Sequence, residues 1–171
     1  MADRTFKRQK FSEFFRRWEL TGIHLNLKFA ELEFEPTDDD MTAAWDLYVE
    51  LLTRIATQEL VDDFGSEEAA LNSIFSIFET TRKILHEKGR KAENFTKVSI
   101  IVLNQVLRPF TTKWHRKCLE GAFTDENNCK DFRNELVYLQ IQLVRYSRML
   151  AEMACVEDLT AIVEMEKDAT I

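Results

Sequence analysis

Residues 127–154, NNCKDFRNELVYLQIQLVRYSRMLAEMA, decide the fold class. Cys129, Phe132, Leu136, Leu139, Leu143, Tyr146, Leu150 and Met153 recur there at spacings of 3, 4, 3, 4, 3, 4 and 3, an unbroken a/d seam. Side chains so spaced share one face of a helix. Val137, Ile141 and Val144 widen that stripe beyond a two-stranded seam, which favours a bundle.

Upstream the helical period returns. Residues 93–107 carry Phe95, Val98, Ile100, Ile101, Val102, Leu103, Val106 and Leu107, apolar almost all round, which marks a central helix. Asn104 lies within that run and needs partners if buried. Pro109 lacks an N–H and is expected to end or kink the helix, with a continuation over 110–119. Residues 67–88 pack through Leu71, Ile74, Phe75, Phe78 and Leu85, with Ser66 as cap after Gly65 and Gly89 as stop. Residues 39–61 bear Met41, Ala44, Trp45, Tyr48, Leu51, Leu52 and Ile55 behind the opening Pro36-Thr37-Asp38-Asp39-Asp40. Glu50 and Arg54 form an i,i+4 pair in the favourable order.

The first 36 residues read differently. Phe11, Phe14, Phe15 and Trp18 mark one face of a helix, set among Arg4, Lys7, Arg8, Lys10, Arg16 and Arg17. Such a face suits either an anionic membrane surface, reached through residues 6–18, or packing on the bundle or a second subunit. Residues 23–35, IHLNLKFAELEFE, alternate with period two and slip phase near Leu32, which predicts a bulged strand. A lone strand leaves its backbone groups unpaired, so pairing across a subunit boundary is expected.

The composition excludes several classes. With 45% hydrophobic and 31% charged residues the chain is neither disordered nor a membrane core. Only 4 Gly and 2 Pro in 171 residues leave few turns, so the elements are long. A net charge of -7 argues against a duplex-DNA binder, which works by neutralising phosphates. Cys118, Cys129 and Cys155 show no CxxC spacing, and a reducing cytoplasm suits them. His24, His86 and His115 fall on separate segments, and no catalytic or phosphate-loop motif is present. No metal or cofactor is expected, and the balance leans away from an enzyme.

One segment stands apart. Residues 94–119 contain no Asp or Glu, although 30 acids in 171 residues would place between four and five there. They keep Lys97, Arg108, Lys113, Arg116 and Lys117, interleaved with Phe110, Trp114 and His115. Guanidinium forks beside aromatic faces suit phosphate and base recognition. Burial explains the absence of acids over 98–107. For 108–117 three readings stand: pairing with the chain's own carboxylates, an anionic or nucleotide ligand, and a protein partner.

The pieces WDLYVELLTRIATQ (45–58), LNQVLRPFTTKWH (103–115) and FRNEL (132–136) have a family look. The chain resembles, over roughly 23–154, a family of bacterial helical proteins with the patterns WxLYVELxTRIxTQ, LNxxLRPFxxKWH and FRxEL. Some members look like parts of phage-defence or signalling systems, and no activity carries over from them. The resemblance adds weight to Arg54, Gln58, Asn104, Arg108, Lys113, Trp114 and His115 as a cluster. Polar residues so placed equally form a buried network that sets helix register.

The expected fold is therefore mainly α, a four-helix bundle with an N-terminal helix and one β-strand arm that pairs between subunits. Residues 1–36 form the arm, 37–156 the bundle, and 157–171 a short acidic helix and tail around Leu159, Ile162 and Val163. The leading functional expectation is a non-enzymatic bacterial regulatory or interaction module that oligomerises, in the cytoplasm or at the inner face of the membrane. The alternatives are a sensor that binds a nucleotide or other phosphate ligand through Arg54, Arg108, Lys113, Trp114, His115, Arg116 and Lys117, and an enzyme without a recognisable motif.

Overall fold

The computed structural model describes residues 6–54, 60 and 66–162. Ile55, Gln58, Gly65 and Val163, the end of the helix expected over 39–61, and the tail from 163 onward lie outside the described residues.

The chain is mainly helical with a small antiparallel strand pair. In order come β1 (Gln9–Lys10), α1 (Phe11–Arg17), α2 (Leu27–Ala30), β2 (Glu33–Phe34) and α3 (Asp38–Leu52). There follow α4 (Glu67–Lys88), α5 (Glu93–Val102), α6 (Arg108–Leu119) and α7 (Glu126–Met153). The caps behave as their side chains dictate: Thr37 accepts from the Asp40 amide, Ser66 from Ala69, and Asp125 from Asn128. Gly89, at φ +61°, turns the chain from α4 toward α5.

α7 carries the core. Phe132, Leu136, Leu139, Leu143, Tyr146, Leu150 and Met153 are all buried, and this face packs on α3, α4 and α6. Val137 and Ile141 do not widen the inward stripe: they are 51% and 45% exposed, on the outer side with Tyr138. Nor is the 93–107 helix central. Ile100 is 48% exposed and Asn104 is exposed, because α7 already occupies the middle. Trp45 is likewise 42% exposed on the outer side of α3.

Pro109 neither ends nor sharply breaks the rod. The helix passes from α5 to α6 through a widened π-helical turn over Leu103–Leu107. Pro109 has no N–H for the Gln105 carbonyl, and its ring would crowd that oxygen in a regular α turn. A wider turn before the proline relieves both, which is the usual reason for such bulges. The Gln105 carbonyl then lies 3.6 Å from where a Cβ on Gly22 would stand, so the arm packs closely on the bulge.

The strand expected over 23–35 is corrected. Asn26 accepts from the Phe29 amide and nucleates the short helix α2, and the phase slip read near Leu32 is that helical turn. Only Glu33–Phe34 is strand, and its partner is Gln9–Lys10 of the same chain, in register Gln9↔Phe34 and Lys10↔Glu33. Ion pairs Arg8–Glu33 and Lys10–Glu31 flank the ladder. The extended backbone before α2 is served by side chains instead of a sheet. The Gln105 amide accepts from the His24 N–H at 2.6 Å and donates to its carbonyl at 3.1 Å. Gln142 accepts from the Thr21 N–H at 2.9 Å, and Arg145 donates to the Glu19 carbonyl at 2.6 Å.

The aromatic face of α1 turns inward. Phe11 and Phe14 have no exposed surface, and Phe14 stacks on Phe34 with ring centroids 4.2 Å apart. Of the two readings of residues 6–18, packing on the chain's own body is the one seen. Among the described residues, no helix is long and apolar enough to cross a membrane.

Candidate functional site

α6 wraps its cations around a buried indole. Trp114 has no exposed surface, and its N–H donates to Glu135 of α7 at 3.0 Å. Lys113 forms an ion pair with the same carboxylate. Lys117 lies over the indole, 4.6 Å from the ring centroid, a cation–π geometry. Arg116 pairs with Glu120 one turn on, at 3.2 Å. Arg108 donates to Asn104 at 2.8 Å and stacks over Phe78, and His115 meets Phe75 at 5.1 Å between ring centroids. Arg54, its side chain only 16% exposed, reaches Glu50 at 2.8 Å, Thr80 at 2.6 Å, and Ser76.

The structure thus divides the expected cluster among three places. Arg54 sits on the Ser76–Thr80 side of α4, and Arg108 and His115 sit on its Phe75–Phe78 side. Lys113 and Trp114 belong with Glu135 on α7. Pairing with the chain's own carboxylates accounts for Lys113 and Arg116.

The face of α4 that receives Arg108 continues past Phe78 to Arg82, Leu85 and His86 at helical spacing. There it opens on a cleft of about 600 Å³ between the end of α4 and the start of α5. Arg82, Leu85, His86, Arg90 and Thr96 line it, together with the Glu93–Lys97 pair. Glu93 is held by Lys97 at 2.5 Å, and that hydrogen bond lowers its carboxyl below the usual carboxylate range. Among the described residues, no ion pair engages Arg82, His86 or Arg90. Arg82, Arg90 and Lys97 stand in this cleft against the one carboxylate of Glu93. Their surplus over carboxylates leaves the cleft positive, above the apolar side chain of Leu85.

Sequence reasoning missed this cluster although its signal was present. Residues 82–91, RKILHEKGRK, hold five Lys or Arg and His86 against the single acid Glu87. Residues 108–117 hold four Lys or Arg. The absence of acids across 94–119 is a property of chain sequence, whereas ligand-sized clefts form between helices.

Cys118, Cys129 and Cys155 are free and half-buried. Burial pushes the Cys129 and Cys155 thiols up, away from a reactive thiolate. Among the described residues, no group of His, Cys, Asp and Glu is placed to hold a metal ion. Set against protein-family models, curated proteins and solved structures, the chain matches none.

Proposed function

We propose that this chain is a non-enzymatic binding module that takes a phosphate-bearing ligand in the α4–α5 cleft. The reading treats α3, α4, the α5–α6 rod and α7 as the four members of a helical bundle that holds the cleft in shape. One observation carries it: Arg82, His86 and Arg90 face a ligand-sized cleft with no carboxylate partner of their own. Arginine forks match phosphate oxygens two at a time, and the apolar floor at Leu85 suits a base or another flat body. Arg108, stacked on Phe78 of the same α4 face, extends the positive surface toward α6. This keeps the phosphate-ligand expectation and moves its centre from 108–117 to 82–97.

The test is a thermal-shift series with inorganic phosphate, mononucleotides and cyclic dinucleotides, run on the wild type and on Arg82→Glu combined with Arg90→Glu. A ligand present at 100 times its dissociation constant adds about 2.7 kcal/mol of stability. The expected result is stabilisation by at least one phosphate compound that weakens as salt rises and vanishes in the double variant. Both substituted side chains are exposed, so the unliganded variant is expected to melt near the wild type. Equal stabilisation of both proteins would place the ligand elsewhere.

A further inference from the structure

A second seam runs along the outer side of α7. Asp131, Asn134, Tyr138, Ile141, Arg145 and Arg148 recur at spacings of 3, 4, 3, 4 and 3, the period of the buried seam, and so share one face of the helix. The first four are exposed, Tyr138 at 73% and Ile141 at 45%, with Val137 at 51% along their edge. At 1.5 Å per residue the seam is about 26 Å long. An exposed apolar patch with a tyrosine at its centre and polar side chains at its ends has the make-up of a protein contact.

Charge decides what fits it. Residues 136–144, LVYLQIQLV, hold no Lys, Arg, Asp or Glu, so the middle of the seam gives a charged partner nothing to pair with. The two ends differ in sign. Asp131 is exposed and forms no ion pair among the described residues. At the other end Arg145 donates to the Glu19 carbonyl at 2.6 Å and stands 3.9 Å from its carboxylate, and Arg148 stands 3.6 Å from Asp158. Glu135, at the edge toward α6, is closed by Lys113. Apart from Asp131, then, the acids of this face are matched by cations, in a chain whose net charge is -7. Two copies meet here without the repulsion that their acidic total would otherwise bring.

We infer that the outer seam of α7 is the contact of a homodimer, two copies joined antiparallel through Tyr138 and Ile141. Only that direction makes the seam complement itself. It sets Tyr138 against Ile141 and brings the Asp131 end of each helix to the Arg145–Arg148 end of the other. A parallel copy would set Asp131 on Asp131. A strip about 26 Å long and one helix wide, about 10 Å, covers less than the roughly 800 Å² per partner of a standard interface. The dimer is therefore weak and forms as concentration rises.

Sedimentation velocity on the full chain, from about 1 to about 200 µM, reads this directly. It is run beside Tyr138→Lys combined with Ile141→Lys and, separately, beside Asp131→Arg. The wild type is expected to move from one chain mass toward two, and the double variant to stay at one. Asp131→Arg replaces an attraction by a repulsion and is expected to weaken the dimer about tenfold, a difference that shrinks at high salt. All three positions are exposed, so both variants are expected to melt with the wild type at the lowest concentration. Should the double variant unfold, Asp131→Arg carries the comparison alone. A wild type that stays monomeric throughout overturns the proposal and leaves the face to a different protein. A dimer that survives the double substitution lies elsewhere on the molecule. Association unchanged by Asp131→Arg would break the antiparallel arrangement and the charge argument with it.

Discussion

Asp40 is the residue on which two helices begin. It has no exposed surface, yet its carboxylate is fully used. Oδ2 accepts from the Thr37 N–H at 2.9 Å and from the Asn94 side-chain amide at 3.0 Å, and Oδ1 accepts from the Phe95 N–H at 2.8 Å. The same group therefore caps α3 and, in place of the uncapped Ala92, the first turn of α5. A hydrogen bond to a charged group contributes about 1.5–3 kcal/mol, and its loss leaves buried donors unpaired. Asp40→Ala is expected to cost about 3 kcal/mol in denaturant unfolding, with Asp40→Asn milder. A loss near that of an ordinary surface change would mean that water replaces the carboxylate at no cost.

At the scale of the element, α7 shows how an apolar run divides between inside and outside. Leu143 has no exposed surface and sits in the seam, while Val137, on the opposite side, is 51% exposed. Leu143→Ala leaves a cavity in packed surroundings, with an expected cost of about 2–5 kcal/mol. Val137→Ala is expected to stay within about 0.5 kcal/mol. Chemical denaturation of the two variants side by side checks the assignment, since similar losses would show that α7 is rotated from this packing. The α5–α6 rod makes a related point: Pro109 is absorbed by a wider turn because helices on either side hold the rod together.

For the whole molecule, the arm decides whether the rest can stand alone. As an arm that pairs between subunits, residues 1–36 would be an appendage, and deleting residues 1–35 would lower the oligomeric state and spare the helices. The structure places Phe11, Phe14, Phe15 and Phe34 in the same buried cluster as Leu47, Val98 and Leu150. Arg17 reaches Glu152, and Gln105 grips the backbone of His24. Aromatic side chains bury more apolar area than any others, so stripping several at once exposes a large part of the core. Deletion of residues 1–35 is expected to abolish the cooperative thermal transition followed by circular dichroism. A sharp melt in the truncated chain would show that the arm is peripheral after all.

By itself the sequence determined what is local. The seam of α7, the bounds of α4 from Ser66 to Gly89, and the Thr37 opening of α3 are written in side-chain periodicity and capping chemistry, which act over three or four residues. The Glu50–Arg54 pair belongs to the same range. Only the tertiary structure decided which apolar side chains face inward, because Val137 and Leu143 read alike until neighbouring helices cover one of them. It also turned the alternation of 23–35 into a capped helical turn and a two-residue strand, since the Gln105 and Gln142 side chains supply partners that a sheet would otherwise have to provide. The candidate site lay beyond local reach for the same reason. Arg82 and Arg90 line one cleft with Lys97 only when α4 and α5 fold against each other, and that cleft exists only between the two helices.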